Sequence, residues 1–133
     1  MREDGAKRPV TASLVKVLVH RREDRGMHLE PYASRCVRAG EVHELLTTDH
    51  DRTAAGTRID RVAFLGFAEI ARAGVIDRGD GVWIDGRLVG TVLGFDACHF
   101  ASHYNIVIHS TEPRTGADLN LAPEADIHFT PAD

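Results

Sequence analysis

The sequence predicts a mainly β protein: a small single-domain β-barrel over residues 10–133 with one or two short helices, behind a flexible N-terminal tail at 1–9. Three observations lead there. With 133 residues and a mass of 14.6 kDa, the chain has room for one core and no second domain. Roughly six to eight short apolar stretches alternate with glycine-bearing or polar turns, and none sustains a long helical period. A sheet of that size must protect its edges, and closing into a barrel removes them.

Residues 1–9 are charged and aperiodic, with nothing to bury, so they are expected to fray. From Val10 the pattern is strand-like, dominated by Leu14, Val15, Val17, Leu18 and Val19, and it closes on His20, Arg21 and Arg22 as a solvated strand end. Polar residues around Gly26 read as a turn, and 32–37 as a second strand. Residues 41–46 are too few for periodicity to separate a helical turn from a strand. Residues 47–56 are polar and turn-rich, the composition of a surface loop. Ile59, Val62, Phe64, Leu65 and Phe67 mark a third strand.

Residues 68–73 (A-E-I-A-R-A) have helix-forming composition and stop at Gly74, a suitable C-cap, so a short helix is placed there. A tight turn over Arg78, Gly79, Asp80 and Gly81 leads to a strand at 82–84, then to the hairpin signal Asp85–Gly86. On the returning strand, 87–95, Val89, Thr91, Leu93 and Phe95 share one face. Leu88, Gly90, Val92 and Gly94 share the other, joined by Asp96 if the strand continues; two glycines on a face admit close approach of another backbone or a ligand. A last clear strand covers 103–110, and a short one covers 125–129 within a proline-bearing end.

Two segments echo one another: A-G-V-I-D-R-G-D-G-V-W-I at 73–84 and L-N-L-A-P-E-A-D-I-H-F at 119–129. Each sets an apolar pair before a polar turn, then an aspartate (Asp80, Asp126), then a short strand. The carboxylate can accept backbone N–H groups across such a turn while glycine supplies positive φ. These segments resemble the glycine–aspartate turns of the cradle-loop and double-psi barrel families, over roughly a tenth of the chain per copy. The second copy departs from the pattern, with Ala125 in place of glycine and the strand phase shifted by one. The resemblance implies a barrel and no particular activity.

Composition narrows the partners. Apolar residues make up 43% and charged residues 27%, the balance of an ordinary globular protein, and aromatics at 6% are too few for a base-stacking platform. Residues 1–62 carry 12 basic and 10 acidic groups (+2), and residues 63–133 carry 4 and 10 (−6), which together give the net −4. Phosphate-dominated binding needs the opposite sign, so nucleic acid is not an expected partner. The apolar run at 14–19 is short and interrupted by Lys16, so neither a membrane span nor a signal peptide is expected. Cys36 and Cys98 could form one bridge at most, and a cytoplasmic setting with reduced thiols is expected. No G-x-G-x-x-G, G-x-x-x-x-G-K-[ST] or G-x-S-x-G motif is present, so nucleotide cofactors and serine-hydrolase chemistry lack support.

Candidate chemistry concentrates in G-F-D-A-C-H-F-A-S-H-Y-N-I-V-I-H at 94–109, which holds three of the eight histidines. If the segment is extended, His99, His103, Asn105, Val107 and His109 project to one side; Cys98, Phe100, Tyr104, Ile106 and Ile108 project to the other. In an acid–base reading, Asp96 orients His99 or His103, because imidazole holds both protonation states near neutrality. Asn105 would steady a developing oxyanion, and His109, Gly94 and Tyr104 would complete a substrate-binding set. The plainer alternative is a surface histidine pair beside a turn-capping aspartate.

A metal reading joins His99 and His103 to Asp96 or His109 around zinc or iron. Two histidines four apart on a strand are about 13 Å apart, so it requires a bend near Ala101. A nucleophile reading uses Cys98, although its register is that of a buried, inert thiol. Glu41, His43 and Glu44 again set histidine beside carboxylate and are expected to face solvent. His20, Arg21 and Arg22 could also bind an anionic group.

The function these residues suggest is a small enzyme without a cofactor, moving protons on a small polar metabolite as an isomerase, dehydratase or cyclase. Asp96, His99 and His103 would be its catalytic set. The alternative is a non-catalytic barrel that binds a divalent metal or a small molecule, an accessory protein in a biosynthetic pathway. A homodimer could form by covering a sheet edge with Phe64, Phe67 or Trp83.

Overall fold

The structure is a computed structural model and describes residues 5–98 and 102–132. Its strands are β1 (Val10–Val17), β2 (Arg21–Arg22), β3 (Met27–His28), β4 (Ser34–Val37), β5 (Val42–Thr48) and β6 (Arg58–Ile59). They continue with β7 (Val62–Arg72), β8 (Gly74–Asp77), β9 (Gly81–Ile84), β10 (Arg87–Asp96), β11 (Asn105–His109) and β12 (Asp126–Thr130). Strands β1, β12, β9, β10, β11, β5 and β7 lie side by side in that order, and β7 pairs back onto β1 to close the ring. The mainly β, barrel-like architecture expected from the turns and short strands is therefore present. β2 extends from the far part of β7, while β3–β6 and β4–β8 form two small ribbons. Among the described residues no helix is long and apolar enough to cross a membrane.

The expected short helices are absent: the described residues contain no helix. Residues 68–72 instead finish β7. There Ala68 and Ile70 are buried, with the exposed Glu69 between them, and the backbone is laddered on both sides. Leu14 and Ala12 of β1 stand opposite Ala68 and Ile70, and His43 and Val42 of β5 stand opposite Ala68 and Glu69. Helix propensity differs by only tenths of a kcal/mol per residue, and two ladders plus burial outweigh it. Gly66 lets one strand serve two neighbours. It borders the bulge in the β5 pairing and stands in register with Val17 of β1, with φ +155°, and a Cβ there would sit 2.1 Å from the Lys16 carbonyl oxygen.

The Asp85–Gly86 hairpin forms as expected, both residues at positive φ (50° and 80°). In the first turn of the echoed pair, Asp80 accepts the Asp77 N–H at 2.8 Å. In the second, the Asp126 N–H instead donates to Asp85 Oδ1 at 2.9 Å, so the two echoed turns are braced differently. Lys7 and Arg8, within the segment expected to fray, are docked. Lys7 Nζ reaches Asp77 and Asp80, and Arg8 Nε donates to the Ala73 carbonyl at 2.9 Å.

Two apolar clusters set the layers. Leu45, Ile106, Ile108, Phe95, Ile127 and Phe129 belong to the one that fills the ring. Leu46, Val107, Leu93 and Phe64 belong to the other, on the outer face, where Met27, Leu29 and Ile59 of the β3–β6 region cover them. Alternation along β5 and β11 therefore separates an inner from an outer phase. β10 departs from the expected alternation: register shifts at Leu88/Gly90 and Val92/Gly94 leave Val92 and Phe95 in one cluster and Leu93 in the other. Thr47 and Thr48, expected in a surface loop, are fully buried at the end of β5. Phe64, named for a dimer patch, is buried too, whereas Trp83 is 37% exposed.

Candidate functional site

β11 runs parallel to β5, with Asn105 opposite Glu44, while Asp96 of β10 stands opposite Asn105 from the other side. Asp96, Asn105 and Glu44 thus form a row across three strands. Asn105 and Glu44 share the outer phase of Val107 and Leu46. All three are buried, at 3%, 0% and 6% exposure. The solvent-facing position expected for His43 and Glu44 is overturned: both are 6% exposed. A central strand that is parallel on one side is enclosed on both faces, and the polar letters of V-H-E-L-L-T-T conceal that.

Within the row, Asp96 has the turn-capping role. Its Oδ1 accepts the Cys98 N–H and the Asn105 side-chain amide, both at 3.0 Å, and its Oδ2 accepts the His28 N–H at 3.4 Å. It ties the turn after β10 and the β3 ribbon to the barrel wall. The Asn105 amide nitrogen also faces sulfur, 3.4 Å from Cys98 Sγ and 3.7 Å from Met27 Sδ. Its two N–H bonds are thus spoken for, and the oxyanion-holding role expected of it has no donor left.

His103 is brought to a different carboxylate. Its Nε2 lies 3.3 Å from Glu44 Oε1 and its Nδ1 lies 3.3 Å from Ser102 Oγ, with the ring edge-on to Phe67. The Glu44 carboxylate borders a hollow of about 350 Å³ whose other walls are His20, Arg22, Arg25 and Phe64. His20 stacks on Phe64 with ring centroids 4.3 Å apart. Two arginines and a histidine therefore share the lining of this hollow with the buried Glu44. His20 and Arg22 of the strand end supply part of this wall, and Glu44, expected to face solvent, supplies its carboxyl group.

The remaining expected residues are dispersed. His99 lies outside the described residues. His109 is at the other end of β11, about 13 Å along the strand from Asn105, with its Nδ1 2.9 Å from the His50 carbonyl oxygen. Gly94 lies beneath Leu29, whose Cδ2 would be 3.0 Å from a Cβ, and Gly90 is met by the His109 carbonyl oxygen. The close approach that these glycines permit is made by the protein itself. Tyr104 has the inner phase, its ring beneath the Arg35 guanidinium at 3.4 Å.

Near Tyr104, the Tyr104 N–H donates to His43 Nδ1 at 3.2 Å, so His43 Nε2–H is the donor to Glu41 Oε1 at 3.0 Å. Burial works against ionising Glu41, but the His43 hydrogen bond and the Arg38 N–H outweigh it and lower its pKa. Cys98 is an exposed residue, not the buried thiol expected, and partial desolvation of its sulfur, reinforced by Asp96 against Arg25, pushes the thiol pKa up, which disfavours a nucleophilic thiolate. Among the described residues no three His, Cys, Asp or Glu side chains gather at metal-ligand spacing, and the zinc or iron alternative rests on His99.

Residues 4–130 match the family of unknown function DUF6917, and the chain belongs to that family. No curated protein and no solved structure matches it.

Proposed function

We propose that this member of the DUF6917 family is a proton-transfer enzyme acting on a small anionic metabolite without an organic cofactor. Glu44 gives and takes the proton, His103 is its positioning partner, and Arg22 and Arg25 anchor the anion. The observation that carries this reading is a buried glutamate, its carboxylate 3.3 Å from a histidine, that lines a hollow together with two arginines. In this reading the proton passes to Glu44, His103 moves from the catalytic role expected of it to a positioning one, and the carboxylate beside it is Glu44 in place of Asp96.

The chemistry follows from the groups present. A substrate carboxylate or phosphate meets the planar guanidinium forks, which fix the rest of the molecule against Glu44. Glu44 removes a proton from the carbon next to a carbonyl or hydroxyl-bearing carbon, and His103 steadies its carboxylate before and after transfer. The proton is returned to another atom of the same molecule, an isomerisation, or to a departing hydroxyl that leaves as water, a dehydration. A positioned acid–base group contributes about 10²- to 10⁴-fold in rate.

The test is solvent deuterium exchange at substrate C–H positions, followed by proton NMR over a panel of small 2-oxo and hydroxy acids. With an active panel compound, Glu44→Gln should slow exchange at least about 100-fold while the melting temperature holds. Arg25→Gln should raise KM more than it lowers kcat. Undiminished exchange by Glu44→Gln refutes the assignment.

A further inference from the structure

We infer that the end of the barrel away from Glu44 holds a second binding site, for a small amphipathic monocarboxylate. There the chain forms a cleft of about 400 Å³ between the β9–β10 hairpin and the return segment at 110–121. That volume falls within the range of small-molecule sites. Thr47, near the end of β5 and in the inner phase of Leu45, lies at its base. The Glu44 hollow belongs to the outer face near the start of the same strand. The two sites share no lining residue, so this inference is independent of the proton-transfer reading.

Polar and apolar walls oppose one another in the cleft. On the polar side, Arg87 donates from one Nη to the Leu119 carbonyl at 3.2 Å, and Arg114 donates from one Nη to Glu112 at 3.0 Å. A guanidinium has five N–H bonds, so each retains donors for a carboxylate after bracing itself. Arg114 is also held from below. Thr47 is fully buried; its hydroxyl oxygen accepts the Arg114 N–H at 3.1 Å and lies 3.0 Å from the Arg114 carbonyl oxygen. The main chain that carries this guanidinium is therefore clamped to the barrel before any ligand arrives, which lowers the ordering cost of binding.

The apolar side has an uncovered lip. Leu88 is 56% exposed, and Val89, Leu119 and Leu121 are half-buried against the core. Charge sets the ligand class. Arg87 and Arg114 supply two positive charges and Glu112 one negative, a balance of +1 within the lining. A single carboxylate with a hydrocarbon body matches that balance and the apolar lip. A polyphosphate matches neither.

The probe is octanoate, titrated into the full-length chain with calorimetry and amide chemical shifts, and octanol is the uncharged control. Saturable binding is expected, with shifts confined to 84–89 and 110–121, and octanol should bind at least tenfold more weakly. Arg87→Gln should weaken octanoate at least tenfold, and Leu121→Trp, which fills the cleft without altering charge, should abolish binding. The proposal is overturned by failure to saturate below about 10 mM, by shifts centred on the Glu44 hollow, or by unchanged affinity in both variants. Glu44→Gln should leave octanoate affinity unaltered.

Discussion

Replacing Lys7 by methionine should destabilise the protein by about 2–3 kcal/mol at neutral pH. The Lys7 ammonium lies 2.7 Å from Asp77 Oδ2, 2.5 Å from Asp80 Oδ2 and 3.2 Å from the Val75 carbonyl. Asp77 is 32% exposed in its side chain, so that pair is discounted to about 0–1 kcal/mol. Asp80 is 3% exposed in its side chain, and removing the cation leaves a buried carboxylate supported mainly by the Asp77 N–H, a loss of about 2 kcal/mol. For a chain of this length the melting temperature should fall by about 8–12 °C.

The effect has a definite pH window. Burial works against charge on Lys7, but its hydrogen bonds to Asp77 and Asp80 outweigh it and raise the pKa; that contribution is complete below the ordinary lysine value and lost as pH rises through the raised one. Burial works against ionising Asp77, but the bonds from Lys7 and Ser34 outweigh it and lower its pKa; that contribution is present above the ordinary aspartate value and lost as pH falls through the lowered one. The gap between wild type and Lys7→Met should therefore be widest between about pH 4 and pH 10 and narrow beyond either limit. Urea unfolding across that range measures it. A gap below about 0.5 kcal/mol at pH 7, or one that ignores pH, refutes the clasp.

Asp96→Ala removes the acceptor for Cys98 N–H, His28 N–H and the Asn105 amide together, and should cost about 3 kcal/mol or more, with hydrogen exchange rising first around Met27 and His28. Gly66→Ala places a methyl 2.1 Å from the Lys16 carbonyl oxygen and should cost about 3 kcal/mol or prevent folding, read by yield and circular dichroism. Phe129→Ala, at a side chain 1% exposed in the ring core, should cost about 3–5 kcal/mol in denaturant unfolding. Cys98 should react with iodoacetamide more slowly than a free thiol at pH 7.5, because its thiol pKa is raised, and should speed up as pH rises past the ordinary thiol value.

Local chemistry made some of the fold legible and long-range pairing hid the rest. The Asp85–Gly86 hairpin, the β1 run and the alternation of Asn105, Val107 and His109 against Ile106 and Ile108 depend on neighbours in the chain, and the sequence carries them openly. Residues 68–72 read as helix because their composition is helical; the ladders from β1 and β5 that make them strand come from residues 11–14 and 42–43. The simple alternation expected along β10 fails because its bulges are set by partners in β9 and β11, which no local pattern reports. At the candidate site, the clustering of polar residues around His103 is legible in the sequence, and the carboxylate it meets is not. Asp96, seven residues away in sequence, looked like the natural carboxylate, while Glu44 is 59 residues away.

Strand direction decides that partnership, and it supplies a sharp test. Because β11 is parallel to β5, the residues just before β11 lie at the same end as the start of β5, which brings His103 to Glu44. An antiparallel pairing over the same span would set Asn105 opposite Thr48 and separate His103 from Glu44 by about 20 Å along the strand. A double-mutant cycle distinguishes the two. With His103→Gln and Glu44→Gln made singly and together, direct contact between two side chains only 15% and 8% exposed should give a coupling of about 0.5–3 kcal/mol in unfolding free energy. Additivity within about 0.3–0.5 kcal/mol at neutral pH would place the two groups apart, and the proposed proton-transfer site would lose its positioning histidine.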